Sequence, residues 1–142
     1  MSEKVLLVDD EKDFLDIMTQ RMETRGMEVS ASASAKEAIE KIKNTSYDAV
    51  VLDLQMPEMD GLEALKAIKE IRPEIQIILL TGHGTVEKGV AAIKEGAMDF
   101  IEKPADMEKL TEKIKKAQAQ KMLIIEKKQK EKVDDIIKRF GF

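Results

Sequence analysis

The sequence predicts an α/β fold in which five parallel strands form a doubly wound sheet with helices on both faces. Short apolar runs alternate five times with segments of helical periodicity, at intervals of roughly 20 to 25 residues. These runs are apolar at successive positions, which is typical of strands that are buried on both faces. Right-handed crossovers leave such a chain few arrangements, and the strand order 2-1-3-4-5 is the usual solution for five strands.

The five strands are predicted from these runs in chain order. They are Val5 to Val8, Met27 to Ala31, Ala49 to Leu52, Ile75 to Leu80 and Asp99 to Ile101. The third run is followed by turn residues at Pro57 and at Asp60 with Gly61, and the fourth run is the most apolar.

Five helices are predicted between and after the strands. Gly26 ends the first helix, Ser34 and Glu37 form a capping box for the second, and Asp60 caps the third, which ends before Pro73. A last helix begins near Asp106. The predicted apolar stripes are Phe14, Leu15, Met18 and Met22; Ala35, Ala38, Ile39 and Ile42; Leu62, Leu65 and Ile68; Val86, Val90, Ile93 and Ala97; and Met107, Leu110, Ile114 and Ala117.

Composition restricts the class of protein. A length of 142 residues is enough for one domain with a single core. The absence of cysteine excludes a disulfide framework and thiolate metal sites. The longest apolar run near the start is far shorter than a signal peptide or a membrane span, so we expect a cytoplasmic protein.

Charge is distributed unevenly along the chain. Residues 1–117 contain 17 basic and 24 acidic residues, whereas residues 118–142 contain 7 and 4. A main domain with a net charge of −7 argues against direct binding of nucleic acid, and the few aromatic residues leave little for base stacking.

Polar residues follow the predicted strands at the edge where open α/β sheets place their ligands. In the order 2-1-3-4-5, Asp9, Asp10 and Asp53 meet in one crevice, with Thr81 and Lys103 beside them. Carboxylates that share a crevice need a compensating cation, and oxygen ligands with room for water favour Mg²⁺. A carboxylate can also act as the nucleophile in forming an acyl phosphate. The predicted site is therefore a phosphoryl-accepting aspartate with a metal ion and a lysine.

These residues resemble those of the receiver domain of two-component response regulators. The matching pieces are Asp9 with Asp10, the stretch from Asp53 to Gly61, Thr81, and Phe100 with Lys103 and Pro104, all in the order and spacing of that family. The resemblance covers about residues 3–117. The segments from Leu80 to Thr85 and from Glu95 to Pro104 look like receivers of sigma-54-dependent activators, although no output domain follows.

The resemblance implies a flavodoxin-like receiver fold and a role for each matching residue. Asp53 would accept a phosphoryl group from a histidine kinase or a phosphotransfer protein. Asp10, Asp53 and the backbone carbonyl of Gln55 would bind Mg²⁺, and Asp9 would act on it through water. Lys103 would pair with a phosphoryl oxygen. The Lys103–Pro104 peptide bond would be cis.

Two further residues would form the family's switch. Thr81 would move to the phosphoryl group, and Phe100 would rotate inward. Such a protein is a signalling switch rather than an enzyme, because it catalyses only its own phosphoryl transfer and dephosphorylation. His83, in a Gly-His-Gly loop, could modulate that dephosphorylation or be an exposed loop residue with no such effect.

Two other functions compete with this interpretation. A haloacid-dehalogenase-type phosphatase also uses an aspartate at a strand end with Mg²⁺, but it needs a second aspartate two residues later, where this chain has Gln55. A flavodoxin-like nucleotide binder needs a phosphate loop rich in glycine, serine or threonine after the first strand, where this chain has Asp9, Asp10 and Glu11.

The sequence therefore predicts a receiver domain at residues 1–117 and a helical extension or linker at 118–142. Two apolar clusters, Leu123 to Ile125 and Val133 to Phe140, flank a polar stretch in the extension. The extension is either a helical tail that frays or a helix that pairs with a second subunit, and its polar interruption argues against a continuous coiled coil. The chain is either a single-domain regulator that binds a partner or the receiver and linker of a longer sigma-54-dependent transcription regulator.

Overall fold

The sheet contains five parallel strands in the order β2-β1-β3-β4-β5. The computed structural model describes residues 2–56, 59–82 and 86–141, so the predictions for Pro57, His83 and the side chain of Val86 lie outside the described residues. The strands are β1 Lys4–Val8, β2 Glu28–Ser32, β3 Ala49–Asp53, β4 Gln76–Thr81 and β5 Asp99–Glu102. The helices are α1 Lys12–Thr24, α2 Ala35–Asn44, α3 Gly61–Ile71, α4 Val86–Lys94 and α5 Met107–Phe140. The predicted fold class and strand order are confirmed.

The core consists of two apolar layers, one on each face of the sheet. Successive side chains of a strand point to opposite faces, so each central strand contributes to both layers. One layer joins Leu6, Val50 and Ile77 to residues of α2 and α3. The other layer joins Leu7, Val51 and Ile78 to residues of α1 and α5. This burial on both sides explains why the strands are apolar at successive positions.

Helix caps occur where the sequence predicts them. The Ser34 hydroxyl accepts a hydrogen bond from the Glu37 amide, and the Asp60 carboxylate accepts one from the Leu62 amide. Asp106 caps α5 in the same way by accepting from Glu108 and Lys109. Each cap pairs amides that the first turn of a helix leaves without partners, so the helices begin at defined positions relative to the strand ends.

The predicted apolar stripe on α4 does not face the core. Val90 and Ile93 are 45% and 41% exposed, whereas Gly89 and Ala92 are buried. Ala97 is buried as expected, but it follows the end of α4. The helix packs through its small residues because these allow its backbone to approach the sheet closely. The larger apolar side chains therefore lie on the surface.

Helix α5 is continuous from Met107 to Phe140 and ends at Gly141, which has a left-handed backbone conformation. Its predicted inward residues Met107, Leu110, Ile114 and Ala117 are all buried. The helix therefore runs without a break across residue 117, where the sequence places the end of the receiver domain. That division stays a prediction. In the described part of the chain, no helix is apolar enough over a sufficient length to span a bilayer.

Candidate phosphoryl-accepting site

Three carboxylates converge at the carboxyl edge of the sheet. Strands β1 and β3 are neighbours in which Val8 is paired with Leu52. Asp9 directly follows β1 and Asp53 is the last residue of β3, so the two lie side by side. Asp9 is fully buried, Asp53 is nearly so and Asp10 is exposed. One oxygen from each of the three carboxylates lies within 4.8 Å of the others. The structure thus brings together the three acidic residues that the sequence selects.

Lys103 provides a cation between two of these carboxylates. Its Nζ lies 2.8 Å from Oδ2 of Asp9 and 3.5 Å from Oδ2 of Asp53. The ammonium also lies 4.5 Å from the centre of the Phe14 ring, where a cation–π contact stabilises it. The backbone amide of Lys103 donates to the Thr81 carbonyl, and the Lys103–Pro104 peptide bond is cis. Lys103 is therefore held at the crevice by both its backbone and its side chain.

Burial and charge change the proton affinity of two groups in the site. Burial raises the pKa of the Asp53 carboxyl above its ordinary value of 3.8, and the nearby charge of Asp9 raises it further. The Gln55 amide and Lys103 oppose that shift without cancelling it. For Lys103, burial lowers the pKa of the ammonium, but the hydrogen bond to Asp9 and the surrounding carboxylates outweigh burial and raise it. The carboxylates of the crevice thus keep the lysine charged.

Backbone amides orient the two buried carboxylates. Oδ1 of Asp9 accepts a hydrogen bond of 2.9 Å from the Glu11 amide, and Oδ1 of Asp53 accepts one of 3.1 Å from the Gln55 amide. In both residues Oδ2 is the oxygen that faces Lys103. Glu11 occupies the N-cap position of α1, so Asp10 does not cap that helix.

The switch residues predicted by the resemblance lie on the two strands next to the crevice. Thr81 is fully buried, and its hydroxyl donates to the Ile101 carbonyl at 3.4 Å. Phe100 is half-buried, and its ring covers Gly89 of α4. Leu79 and Phe100 are paired across β4 and β5, so they lie on the same face of the sheet as Thr81. The side chains of Thr81 and Phe100 therefore lie on the face of the sheet that α4 covers, and Phe100 contacts α4 at Gly89.

The structure adds two residues that the sequence reasoning did not select for this site. A cavity of about 370 Å³ opens beside the carboxylates and is lined by Asp10, Gln55 and, from α4, Lys88. Phe14, which the sequence assigns only to the core, lies against the Lys103 ammonium. Neither role has a local sequence signal, because each depends on a contact between elements that are distant along the chain.

The donor set fits a hard divalent cation. All three clustered side chains are carboxylates, whose oxygens are the ligands preferred by Mg²⁺. The exposed position of Asp10 leaves space on one side for water, and Mg²⁺ usually retains several water ligands in proteins. Asp10 and Asp53 are therefore suited to hold the ion, with the Gln55 carbonyl as a further predicted ligand and Asp9 behind them.

Comparison with known proteins gives a consistent result. A family model described as the response regulator receiver domain matches residues 5–115. The chain is 38% identical over 122 residues to the C4-dicarboxylate transport transcriptional regulatory protein DctD of Rhizobium meliloti, and the match covers 86% of this chain but 26% of the relative. The chain thus spans about a quarter of the length of that curated relative.

Solved structures show the same similarity in three dimensions. A response regulator receiver domain protein from Clostridium thermocellum superposes with a TM-score of 0.82 at 34% identity, covering 86% of this chain and 98% of that one. The beryllofluoride-activated NtrC4 receiver domain dimer superposes with a TM-score of 0.77 at 37% identity, covering 83% of this chain and 98% of that one.

Proposed function

The chain belongs to the response regulator receiver domain family, and we propose that it is a phosphorylation-controlled switch in which Asp53 accepts the phosphoryl group. One observation carries this proposal. The carboxylates of Asp9, Asp10 and Asp53 converge within 4.8 Å, and the Lys103 ammonium contacts two of them. An incoming phosphoryl group brings negative charge and requires cations at the place where it arrives. A divalent cation held by the three carboxylates, together with the Lys103 ammonium, would supply that positive charge.

The transfer requires Asp53 to act as a nucleophile. A carboxylate oxygen of Asp53 forms a bond to phosphorus, while the bond from phosphorus to a histidine nitrogen of the donor breaks and that nitrogen takes up a proton from solvent. The hydrogen bond from the Gln55 amide to Oδ1 leaves Oδ2 to face the crevice. Bound Mg²⁺ would neutralise the carboxylates and the phosphoryl oxygens.

Lys103 and Asp9 prepare the crevice for this reaction. The Lys103 ammonium lies 3.5 Å from the Asp53 carboxylate and can bind a phosphoryl oxygen at that place. The Lys103 ammonium also donates a hydrogen bond of 2.8 Å to Oδ2 of Asp9, and this bond limits the movement of the ammonium. Asp9 is fully buried, so we assign it to positioning Lys103 and to the metal site through water rather than to direct contact with the donor.

The switch operates through Thr81 and Phe100. In the described conformation the Thr81 hydroxyl is bonded to Ile101, so it must leave that carbonyl to reach a phosphoryl group on Asp53. Its departure would make space for Phe100 to turn inward, away from the surface of α4. This movement would alter the surface formed by α4 and β5, where Val90 and Ile93 are already exposed.

The chemistry is limited to the chain's own phosphorylation. We propose that the protein transfers a phosphoryl group to Asp53 and slowly hydrolyses it, and that it has no other enzymatic activity. The side chain of Gln55 is exposed and lines the cavity beside Asp10, where an attacking water would lie. An amide cannot serve as the general acid or base of an efficient phosphatase.

The partners follow from this function. The phosphoryl donor would be a histidine kinase or a phosphotransfer protein. A homodimer is a second candidate, because a relative is described as an activated receiver domain dimer and because α4 and the end of α5 expose apolar side chains. The match to a longer transcriptional regulator also supports an alternative, namely that this chain is the receiver and linker of a sigma-54-dependent regulator.

Intact-protein mass spectrometry tests the proposal directly. The protein is incubated with Mg²⁺ and acetyl phosphate, and we expect one added phosphoryl group in the wild type and none in Asp53→Asn. Asp16→Asn changes an exposed aspartate of α1 and should be phosphorylated like the wild type. An unchanged mass increase in Asp53→Asn would identify another acceptor and overturn the proposal.

A further inference from the structure

A partly buried ion pair joins α5 to the opposite edge of the sheet from the phosphoryl-accepting site. Lys121 is only 9% exposed, although it is a lysine near the point where α5 leaves the domain. Its ammonium lies 2.8 Å from the Ser46 hydroxyl and 3.6 Å from Oδ1 of Asp48. A lysine is almost never buried without a partner, because removing its charge from water is costly. The burial of Lys121 therefore depends on the contacts of its ammonium with Ser46 and Asp48.

Asp48 connects three parts of the chain at this edge. Its Oδ2 accepts a hydrogen bond of 2.8 Å from the backbone amide of Lys4, at the start of β1. The Gln118 amide group of α5 lies 3.4 Å from the same oxygen. The backbone amide of Asp48 donates to the Lys4 carbonyl at 2.7 Å. Asp48 is thus held firmly by the sheet, and α5 is attached to it one turn apart, at Gln118 and Lys121.

The attachment lies beyond the residues that the family model matches. The family model ends at residue 115, whereas Gln118 and Lys121 follow it. After Lys121, the described residues of α5 are exposed, apart from the half-buried Ile124. Lys121 is consequently the last residue of α5 that is buried against the domain.

The exposed part of α5 is much longer than the single helical turn by which Gln118 and Lys121 attach it to the domain. From Lys121 to Phe140 the helix extends about 28 Å at 1.5 Å per residue. For a helix of this length, a tilt of about 20° at Lys121 would displace the far end by roughly 10 Å. That end carries the apolar residues Val133, Ile136, Ile137 and Phe140, which are between 42% and 65% exposed. A contact at the base of the helix therefore controls where those side chains lie.

We propose that Asp48, Ser46 and Lys121 form a clasp that fixes the direction in which α5 leaves the receiver domain. The clasp makes α5 and the sheet one rigid unit, so any partner of the exposed apolar residues is held at a set position relative to the domain. Lys121 and Asp48 are positioning residues in this arrangement. The inference does not depend on phosphorylation of Asp53, because none of the three residues belongs to that site.

Distance measurements between two spin labels test the clasp. The chain has no cysteine, so Glu70→Cys on α3 and Lys130→Cys on α5, both at exposed positions, provide two unique labelling sites. Pulsed electron paramagnetic resonance should give a narrow distance distribution in this background. Lys121→Met should broaden the distribution at least twofold, because an apolar end cannot bind Ser46 or Asp48. Lys121→Arg keeps the charge and should retain the narrow distribution.

Two controls separate the clasp from general effects. Lys127→Met removes a lysine from the exposed part of the same helix and should leave the distribution unchanged. Asp48→Asn keeps an acceptor for the Lys4 amide but removes the negative charge, so it should broaden the distribution even if Lys121→Met does not fold. Folding of each variant is checked by cooperative thermal unfolding. If Lys121→Met folds and its distance distribution is as narrow as that of the parent, the proposal is overturned. If Lys121→Met does not fold, an equally narrow distribution in Asp48→Asn overturns it.

Discussion

Gly89 of α4 lies directly against the ring of Phe100. A Cβ atom at position 89 would come within 2.8 Å of the ring Cγ and within 3.1 Å of both Cδ atoms. The ring of Phe100 can therefore pack against the backbone of α4 only because residue 89 has no side chain. Because Phe100 is the proposed switch residue, Gly89 determines how closely α4 and the switch approach one another.

Gly89→Ala should displace the Phe100 ring. Alanine favours a helix over glycine by about 1 kcal/mol, but overpacking of a filled site costs about 1 to 3 kcal/mol, so we expect a net loss of unfolding free energy of about 1 kcal/mol. Chemical denaturation measures that loss, and the NMR shifts of the ring protons report its position. In the Phe100→Ala background the same change should be stabilising. A penalty that persists there would show that the ring is not the source of the conflict.

Gly61→Ala should be more damaging than Gly89→Ala. A Cβ atom at position 61 would lie 2.6 Å from the backbone oxygen of Leu54, which also accepts the hydrogen bond of the Gly61 amide. Backbone atoms cannot yield as a side chain can, so we expect a loss of at least about 3 kcal/mol. Urea denaturation measures it. Glu70→Ala, at an exposed position of the same helix, should change the unfolding free energy by less than about 0.5 kcal/mol.

Lys103→Met should destabilise the protein when divalent ions are absent. The substitution keeps an unbranched stem against Phe14 but leaves Asp9 buried beside Asp53 without a cation, for which we expect a cost of about 3 kcal/mol. The variant should still bind Mg²⁺, because the three carboxylates remain, and isothermal titration calorimetry measures this binding. Loss of that binding would assign the lysine a structural role in the metal site.

Asp53→Asn should change how stability depends on pH. Burial raises the pKa of Asp53 in the folded state above 3.8, so the folded protein binds this proton more tightly than the unfolded chain does. The contribution of Asp53 to the unfolding free energy of the wild type therefore declines as the pH rises from below 3.8 through the folded-state pKa. Asparagine does not titrate, and the variant should gain stability relative to the wild type over that range and keep the gain at neutral pH. Denaturation in the presence of a chelator measures the difference at each pH, and a constant difference would contradict the prediction.

Mg²⁺ should stabilise the wild type through the carboxylate cluster. An ion that binds only the folded state at about 100 times its dissociation constant adds about 2.7 kcal/mol to the unfolding free energy. Asp10→Asn removes the most exposed of the three carboxylates and should reduce this gain strongly. Thermal unfolding with and without the ion measures it, with Asp16→Asn as a matched control of equal net charge.

The sheet and the acidic crevice could be predicted from local patterns. Continuous apolar runs such as Ala49 to Leu52 indicate strands buried on both faces, and the crossover rule then limits their order. Asp9 and Asp53 follow two strands that are neighbours in that order, so their meeting follows from topology. The prediction that the apolar stripe on α4 faces the core was wrong. Val90 and Ile93 have the helical spacing of core residues, but the helix packs through Gly89 and Ala92.

The amino-acid sequence alone therefore determined the fold class and the strand order, and it selected the three carboxylates that converge at the sheet edge, because hydrophobic periodicity and strand-end polarity are properties of short segments. The tertiary structure alone decided which charges pair and which side chains touch. The contact of the Lys103 ammonium with Phe14, the ring of Phe100 on Gly89, and the attachment of Lys121 to Asp48 are all of this kind. Each joins residues of different elements, and such contacts depend on helix rotation and side-chain direction, which no local pattern encodes.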